Sequence, residues 1–210
     1  MRVYDCSVPL HERMVIYPGD PPFRCELLSD VSQGETSTVH QLLLGTHTGT
    51  HVDAPAHLFP HAPTIDLLPV ETWLGQARVV AVPAQVCVTA ADLRHLDLNG
   101  CTRLFIRTAN SLLWASHKHF FVKDHVYLDA EAADYLAEQG LLLVGFDYLS
   151  VDQYGDPTLP AHRRLLGRGI PIVESLDLSQ VRPGDYQLVC APLALTNTEA
   201  APARVFLLEE

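Results

Sequence analysis

Residues 47–57, HTGTHVDAPAH, constrain the fold more than any other part of the chain. His47, His51, Asp53 and His57 stand at offsets of zero, four, six and ten. Imidazole nitrogen with carboxylate oxygen is a donor set suited to zinc, iron or manganese. Every offset is even, so extended backbone would send all four side chains to one face. A helix is disfavoured, because Thr46, Thr48, Thr50 and Val52 are β-branched, Gly49 breaks helices and Pro55 has no N–H to donate. Straight extension fails too, since ten residues at about 3.3 Å each would part the outer histidines by about 33 Å. The segment must therefore bend, at Gly49 and around Asp53-Ala54-Pro55, to gather its donors.

Short apolar runs bounded by turn residues dominate the remainder. Residues 2–6, 39–44, 77–82, 103–107, 141–146, 170–173, 186–190 and 203–208 have the length and β-branched content of strands. Two helices are readable. Thr89 can cap 90–96, with Asp92 three residues on for a reciprocal cap. Asp129 can cap 130–139, with Glu131 in the first turn and Gly140 just past the end. Pro183-Gly184-Asp185 reads as a turn. Strands outnumbering helices predict a mixed α+β chain. No repeat, low-complexity tract or linker divides it, so residues 1–210 are expected to form one domain.

Composition narrows the class. A chain of 210 residues, 48% hydrophobic, can bury a sizeable core. A formal net charge of −11 argues against nucleic acid or an anionic membrane surface as partner. No apolar N-terminal run follows a basic start, and no stretch of about 18 apolar residues occurs, so a cytoplasmic protein is expected. Cys6, Cys25, Cys87, Cys101 and Cys190 are odd in number and lack C-x-x-C spacing, which predicts reduced thiols.

The HTGTHVDAPAH segment resembles the HxGTHxDxPxH signature of the cyclase family of metal-dependent hydrolases, which includes bacterial kynurenine formamidases and isatin hydrolases. The likeness extends along the chain: Tyr17-Pro18-Gly19-Asp20 resembles the family's aromatic-PGD turn, and Phe146-Asp147 with Ser150-Val151-Asp152 its GxD…SVD segment. His162, followed twelve residues later by Glu174, resembles a second metal-ligand pair, and Pro192-Leu193 its closing strand. The resemblance implies a swivelling β/β/α fold, a β-rich core with flanking helices. It also implies homodimers or homotetramers.

On that resemblance His47, His51 and Asp53 hold one divalent ion, with a position left open for water. His162, Glu174 and a bridging Asp53 hold a second, zinc or manganese in either place; a mononuclear site, as in some relatives of the isatin hydrolase type, is the alternative. By themselves His162 reads as a loop residue in the turn after Leu159-Pro160-Ala161, and Glu174 as a strand-end charge. His57 is either a further ligand or a free imidazole; resemblance to kynurenine formamidase makes it the catalytic proton shuttle. Tyr17 stands where those enzymes carry tryptophan against the substrate ring, or else it packs under its own turn.

Several neighbours keep two readings. Phe59, Pro60 and His61 are candidates for the pocket wall. Trp114, His117, His119, Phe120, Phe121 and His125 form either an aromatic loop near the pocket or a plain surface loop. Arg163, Arg164 and Arg168 either attract a substrate carboxylate or form a solvated face. The expected activity is hydrolysis of a small aromatic or cyclic amide by metal-activated hydroxide, on N-formylkynurenine or on isatin-like lactams and lactones. The other class is a non-catalytic metal- or small-molecule-binding domain.

Overall fold

The computed structural model describes residues 1–116 and 120–209. Its strands are Arg2–Asp5 (β1), Arg24–Ser29 (β2), Val39–Leu43 (β3), His51–Asp53 (β4), Leu74–Ala81 (β5), Cys87–Val88 (β6), Arg103–Arg107 (β7), Tyr127–Leu128 (β8), Leu143–Phe146 (β9), Ile172–Glu174 (β10), Gly184–Pro192 (β11) and Ala200–Glu209 (β12). The α-helices are Ala90–Arg94 (α1), Ser111–Ala115 (α2), Ala130–Ala137 (α3) and Pro160–Gly167 (α4).

Eight strands form one sheet in the order β1-β12-β11-β5-β7-β9-β10-β4. β4 pairs with β10 on one side and with β12 on the other, so the sheet closes on itself as a barrel. The strand β12 makes this possible by its length: Ala200–Pro202 face β4, Ala203–Leu208 face β11, and Phe206–Glu209 face β1. The β5–β7, β7–β9 and β9–β10 pairs are parallel. Parallel neighbours need crossovers, and these carry α1, then α2 with α3, then α4.

The same pairing explains why the centre of β7, Leu104-Phe105-Ile106, is continuously apolar. A parallel strand covered on both faces has no solvent side. Phe105 points into the barrel with Val52, Leu143, Val173 and Val205, while Leu104 and Ile106 join the helical layer with Leu93, Leu136 and Leu165. Gly145 on β9 leaves room for this packing, since a Cβ there would lie 2.6 Å from Phe105 Cδ1 and 2.8 Å from Leu176 Cδ1. The fold is the mixed α+β arrangement that the sequence pattern predicts, in the form of the β-rich core with flanking helices that the family resemblance implies.

Both expected caps are present. Thr89 N donates to Asp92 Oδ2 at 2.9 Å and Asp92 N to Thr89 Oγ1 at 3.3 Å, while Asp129 Oδ1 accepts from Ala132 N at 2.6 Å. The helices end at Arg94 and Ala137, earlier than expected, because the chain turns at His95 and Glu138. Other expectations are corrected. Gly184 starts β11 instead of sitting in a turn, and Pro192 ends β11, leaving closure to β12. Helix α4 occupies the segment read as a turn at His162. All five cysteines are free thiols. Burial pushes the Cys6 and Cys190 thiols up to about 12, which suits core residues and not nucleophiles. No helix among the described residues is long and apolar enough to cross a membrane.

Candidate metal centre

The motif bends at the two places its residues require. Gly49 takes φ of 66°, a left-handed backbone that disfavours any side chain, and a Cβ there would also have to displace Leu10 Cδ2, 2.3 Å away. The neighbouring threonines fasten the turn. Thr48 Oγ1 accepts from Gly45 N at 2.9 Å, and Thr50 Oγ1 accepts from Val8 N at 2.9 Å while donating to Ser175 O at 2.6 Å. The chain then runs straight through β4, placing His51 and Asp53 on one face and Val52 in the barrel core. At its end Pro55–His57 form a 3-10 turn that brings His57 back over the site. Antiparallel pairing sets Glu174 of β10 directly opposite His51, and α4 supplies His162.

All six expected site residues therefore converge. Asp53 Oδ1 lies 2.9 Å from His47 Nδ1 and 3.3 Å from His51 Nε2, while its Oδ2 lies 3.3 Å from His162 Nε2. Glu174 Oε1 lies 3.2 Å from His162 Nε2 and its Oε2 3.5 Å from His51 Nε2. The ring of His57 is 4.5 Å from that of His47 and 5.7 Å from that of His162, centre to centre. Among the described residues, donors at single-ion spacing group as His47, Asp53 and His57 and as His51, Asp53 and Glu174, a different partition from the expected His47-His51-Asp53 and Asp53-His162-Glu174 sets, with Asp53 common to all four.

Hydrogen bonding provides the test of fit. His51 Nε2 and both Asp53 oxygens are buried and make no hydrogen bond despite these short distances. Buried polar atoms are nearly always paired. Three unpaired ones clustered in one nitrogen-and-oxygen donor set fit a divalent metal. The electrostatics agree. Burial opposes charge on Asp53, yet His51 and His47 hold its carboxyl well below the ordinary range. Burial likewise opposes charge on His51, but Asp53 and Glu174 push it up to about 10. The imidazoles and the two carboxylates stabilise each other's charge, and a divalent cation would take over that role as the imidazoles bind it in their neutral form.

Two of the imidazoles are anchored from behind. His51 Nδ1 lies 2.8 Å from Gly49 O, and His162 Nδ1 lies 2.6 Å from Asp152 Oδ2, leaving each Nε2 turned to the carboxylates. Asp152 also accepts from Ala161 N at 2.7 Å and His162 N at 3.1 Å, which caps α4. Asp152→Ala is expected to lower stability by on the order of 3 kcal/mol in denaturant titrations, since it strips partners from buried N–H groups. Outer partners of this kind are typically worth about 10–100-fold in metal affinity, so weaker metal retention should accompany that loss.

The six residues line a cavity of about 230 Å³, joined there by Tyr17, Asp20, Leu149, Ser150 and Leu159. Tyr17 is half-buried and meets the rings of Phe121 and Tyr154 edge-on, with centres 5.2 and 6.0 Å away, so it belongs to an aromatic wall and does not merely cover its own turn. Asp20 N closes that turn on Tyr17 O at 3.1 Å. Burial raises the Asp20 carboxyl above its ordinary value.

Other candidates fall elsewhere. Phe59 lies against Gly167 of α4 and packs on the helical core, and His61 is exposed with φ of 66°; neither lines the cavity. Arg164 pairs with Asp134 at 2.8 Å and Arg163 donates to Thr158 O at 2.9 Å, the solvated-face reading. Trp114 Nε1 donates to Asp147 O at 3.0 Å, and His125 is buried between Val122 O and Asp152 O, 3.1 and 3.0 Å from its ring nitrogens. Residues His117 and His119 lie outside the described residues. Sequence reasoning missed the part played by Asp152, whose only signal was the Ser150-Val151-Asp152 likeness, and it missed Leu149 and Leu159, which had none.

The Cyclase family model, described as "Putative cyclase", matches residues 4–153. The kynurenine formamidase of Geobacillus thermodenitrificans is 36% identical over 97% of this chain and 95% of its own length, and that of Bacillus cytotoxicus 33% over the same shares. Among solved structures, isatin hydrolase A from Ralstonia solanacearum superposes with a TM-score of 0.83 at 25% identity, covering 99% of this chain and 92% of that one. A Bacillus stearothermophilus protein described as a "predicted metal-dependent hydrolase" gives a TM-score of 0.84 at 30% identity, covering 98% and 97%. The signature residues 47–57 that carry the metal donors lie inside the matched segment, and the chain belongs to the Cyclase family.

Proposed function

We propose that the protein is a metal-dependent amidohydrolase that removes the formyl group from N-formylkynurenine. The observation that carries this reading is Asp53, whose two unpaired oxygens face different imidazoles within a cavity that also holds His57. In this reading His47, His51 and Asp53 hold one divalent ion and Asp53, His162 and Glu174 a second, zinc or manganese in either place. When bound, such a pair supplies Lewis acidity toward a carbonyl and makes water acidic enough to attack it near neutral pH. His57 takes the proton of the attacking water and returns it to the departing aromatic amine, a task suited to a neutral imidazole. Burial keeps His57 below its ordinary value and so neutral at pH 7. Tyr17, backed by Phe121 and Tyr154, presents its ring to the substrate's ring.

A second reading, ring opening of an isatin-like lactam, is supported by the likeness to isatin hydrolase A. A substrate panel on zinc- or manganese-loaded protein separates the two. N-formylkynurenine is expected to be the preferred substrate, with turnover abolished by a chelator and restored by metal. A folded, metal-loaded protein that opens isatin and leaves the formamide intact would establish the second reading. Inactivity on the whole panel would favour a binding domain. We further propose that the chain works as a homodimer or homotetramer; sedimentation at micromolar concentration should give a species heavier than the 23.2 kDa chain.

A further inference from the structure

We propose that Glu199 is a positioning residue for His47, holding that imidazole so that Nδ1 and not Nε2 is presented at the metal centre. The inference rests on the reading of His47 as a metal ligand. His51 and His162 are both anchored through Nδ1, by Gly49 O and Asp152 Oδ2, and both turn Nε2 toward the carboxylates. His47 is turned the other way round. Its Nε2 lies 3.3 Å from Glu199 Oε1, and its Nδ1 lies 2.9 Å from Asp53 Oδ1.

Glu199 is itself tied in place. Thr46 Oγ1 donates to the same Oε1 at 2.6 Å. Its carbonyl accepts from Ala54 N at 2.8 Å, one residue past the site strand. The approaching loop is fixed by Ile65 N donating to Thr198 O at 3.0 Å and by Asn197 N donating to Asp66 Oδ1 at 3.1 Å. A carboxylate that accepts the proton of one ring nitrogen fixes the tautomer and makes the opposite nitrogen the more basic ligand. The Thr46-Glu199-His47 relay does for the first ion what Asp152 does for His162, through the opposite ring atom.

The test uses the full chain and zinc, and it needs no substrate. In histidine-labelled, zinc-loaded wild type, the ring carbon shifts should show one imidazole bound through Nδ1, and that signal should vanish in His47→Gln. Chelator competition should find zinc affinity about 10–100-fold weaker in Glu199→Ala, with the stoichiometry at saturating zinc unchanged. Glu199→Gln, whose amide oxygen can accept the same proton, should lose less, and Thr46→Val should fall between the two. Unchanged affinity and spectrum in Glu199→Ala would overturn the assignment, as would a wild type whose bound imidazoles all use Nε2. Loss of a full zinc equivalent at saturation would make Glu199 a ligand instead. A wild type that binds no zinc would overturn the metal-centre reading and this assignment together, whereas zinc binding indifferent to residue 199 overturns the assignment alone.

Discussion

Asp53→Ala is expected to empty both metal positions and reduce turnover to background. The reason lies in how one carboxylate is shared. Its Oδ1 faces His47 and His51, its Oδ2 faces His162, and neither oxygen has a hydrogen-bond partner. Removing it takes a ligand from each half of the centre and leaves the buried imidazoles without the negative charge that offsets their own cost of burial. Residues on only one side should behave differently. His162→Ala and Glu174→Ala are expected to lose mainly the second ion and keep close to one equivalent. Elemental analysis of the purified variants, alongside circular dichroism to confirm folding, reads both outcomes. An Asp53→Ala protein that is folded and fully metallated would rule out the bridging arrangement. Equal losses in the Asp53, His162 and Glu174 variants would instead indicate a single shared ion.

What the sequence could reveal of this centre followed chain proximity. Residues 47–57 carry four donors within eleven residues, and the hinges at Gly49 and Pro55 are visible as residue types, so the first half of the site was legible. The run at 103–107 was legible for a related reason, since burial on both faces makes its centre, Leu104-Phe105-Ile106, continuously apolar. Helix α4 was not. Its first residue follows Leu159, which is in a left-handed conformation and provides no side-chain cap. The cap comes instead from Asp152, nine and ten residues upstream of the N–H groups it serves. No local pattern announces a cap at that distance, so His162 looked like a turn residue. Strand β2 was hidden for the opposite reason: it is exposed along most of its length, so the alternation that marks a half-buried strand is absent. Glu199 lies about 150 positions from its partners Thr46 and His47 and reaches them only because β12 pairs with β4. Such residues become visible when the barrel closes.

His57→Ala is expected to keep both ions and the fold while kcat falls by about 10²–10⁴-fold, the usual contribution of a positioned acid–base group. His57 sits where it could do either job. It is grouped with His47 and Asp53 at ligand spacing, yet it comes from the 3-10 turn beyond β4 and not from the paired strands that carry His51, Asp53 and Glu174. A ligand and a shuttle give different signatures. If His57 binds metal, lost activity should track lost metal and recover in part with excess zinc. If it moves protons, metal content stays full and added zinc does nothing. The pH profile gives a second measurement. Burial holds the His57 imidazole below its ordinary value of 6.5. Only the neutral ring can accept a proton, so kcat/KM should rise with pH through an ionisation on the acid side of 6.5 and level off near neutrality. His57→Ala should lose that acid limb and keep any ionisation that belongs to the metal-activated water. Full metal with near-normal turnover, or an acid limb that survives the substitution, would place the proton on another residue, and Asp20, raised by burial at the same cavity, would be the next to test.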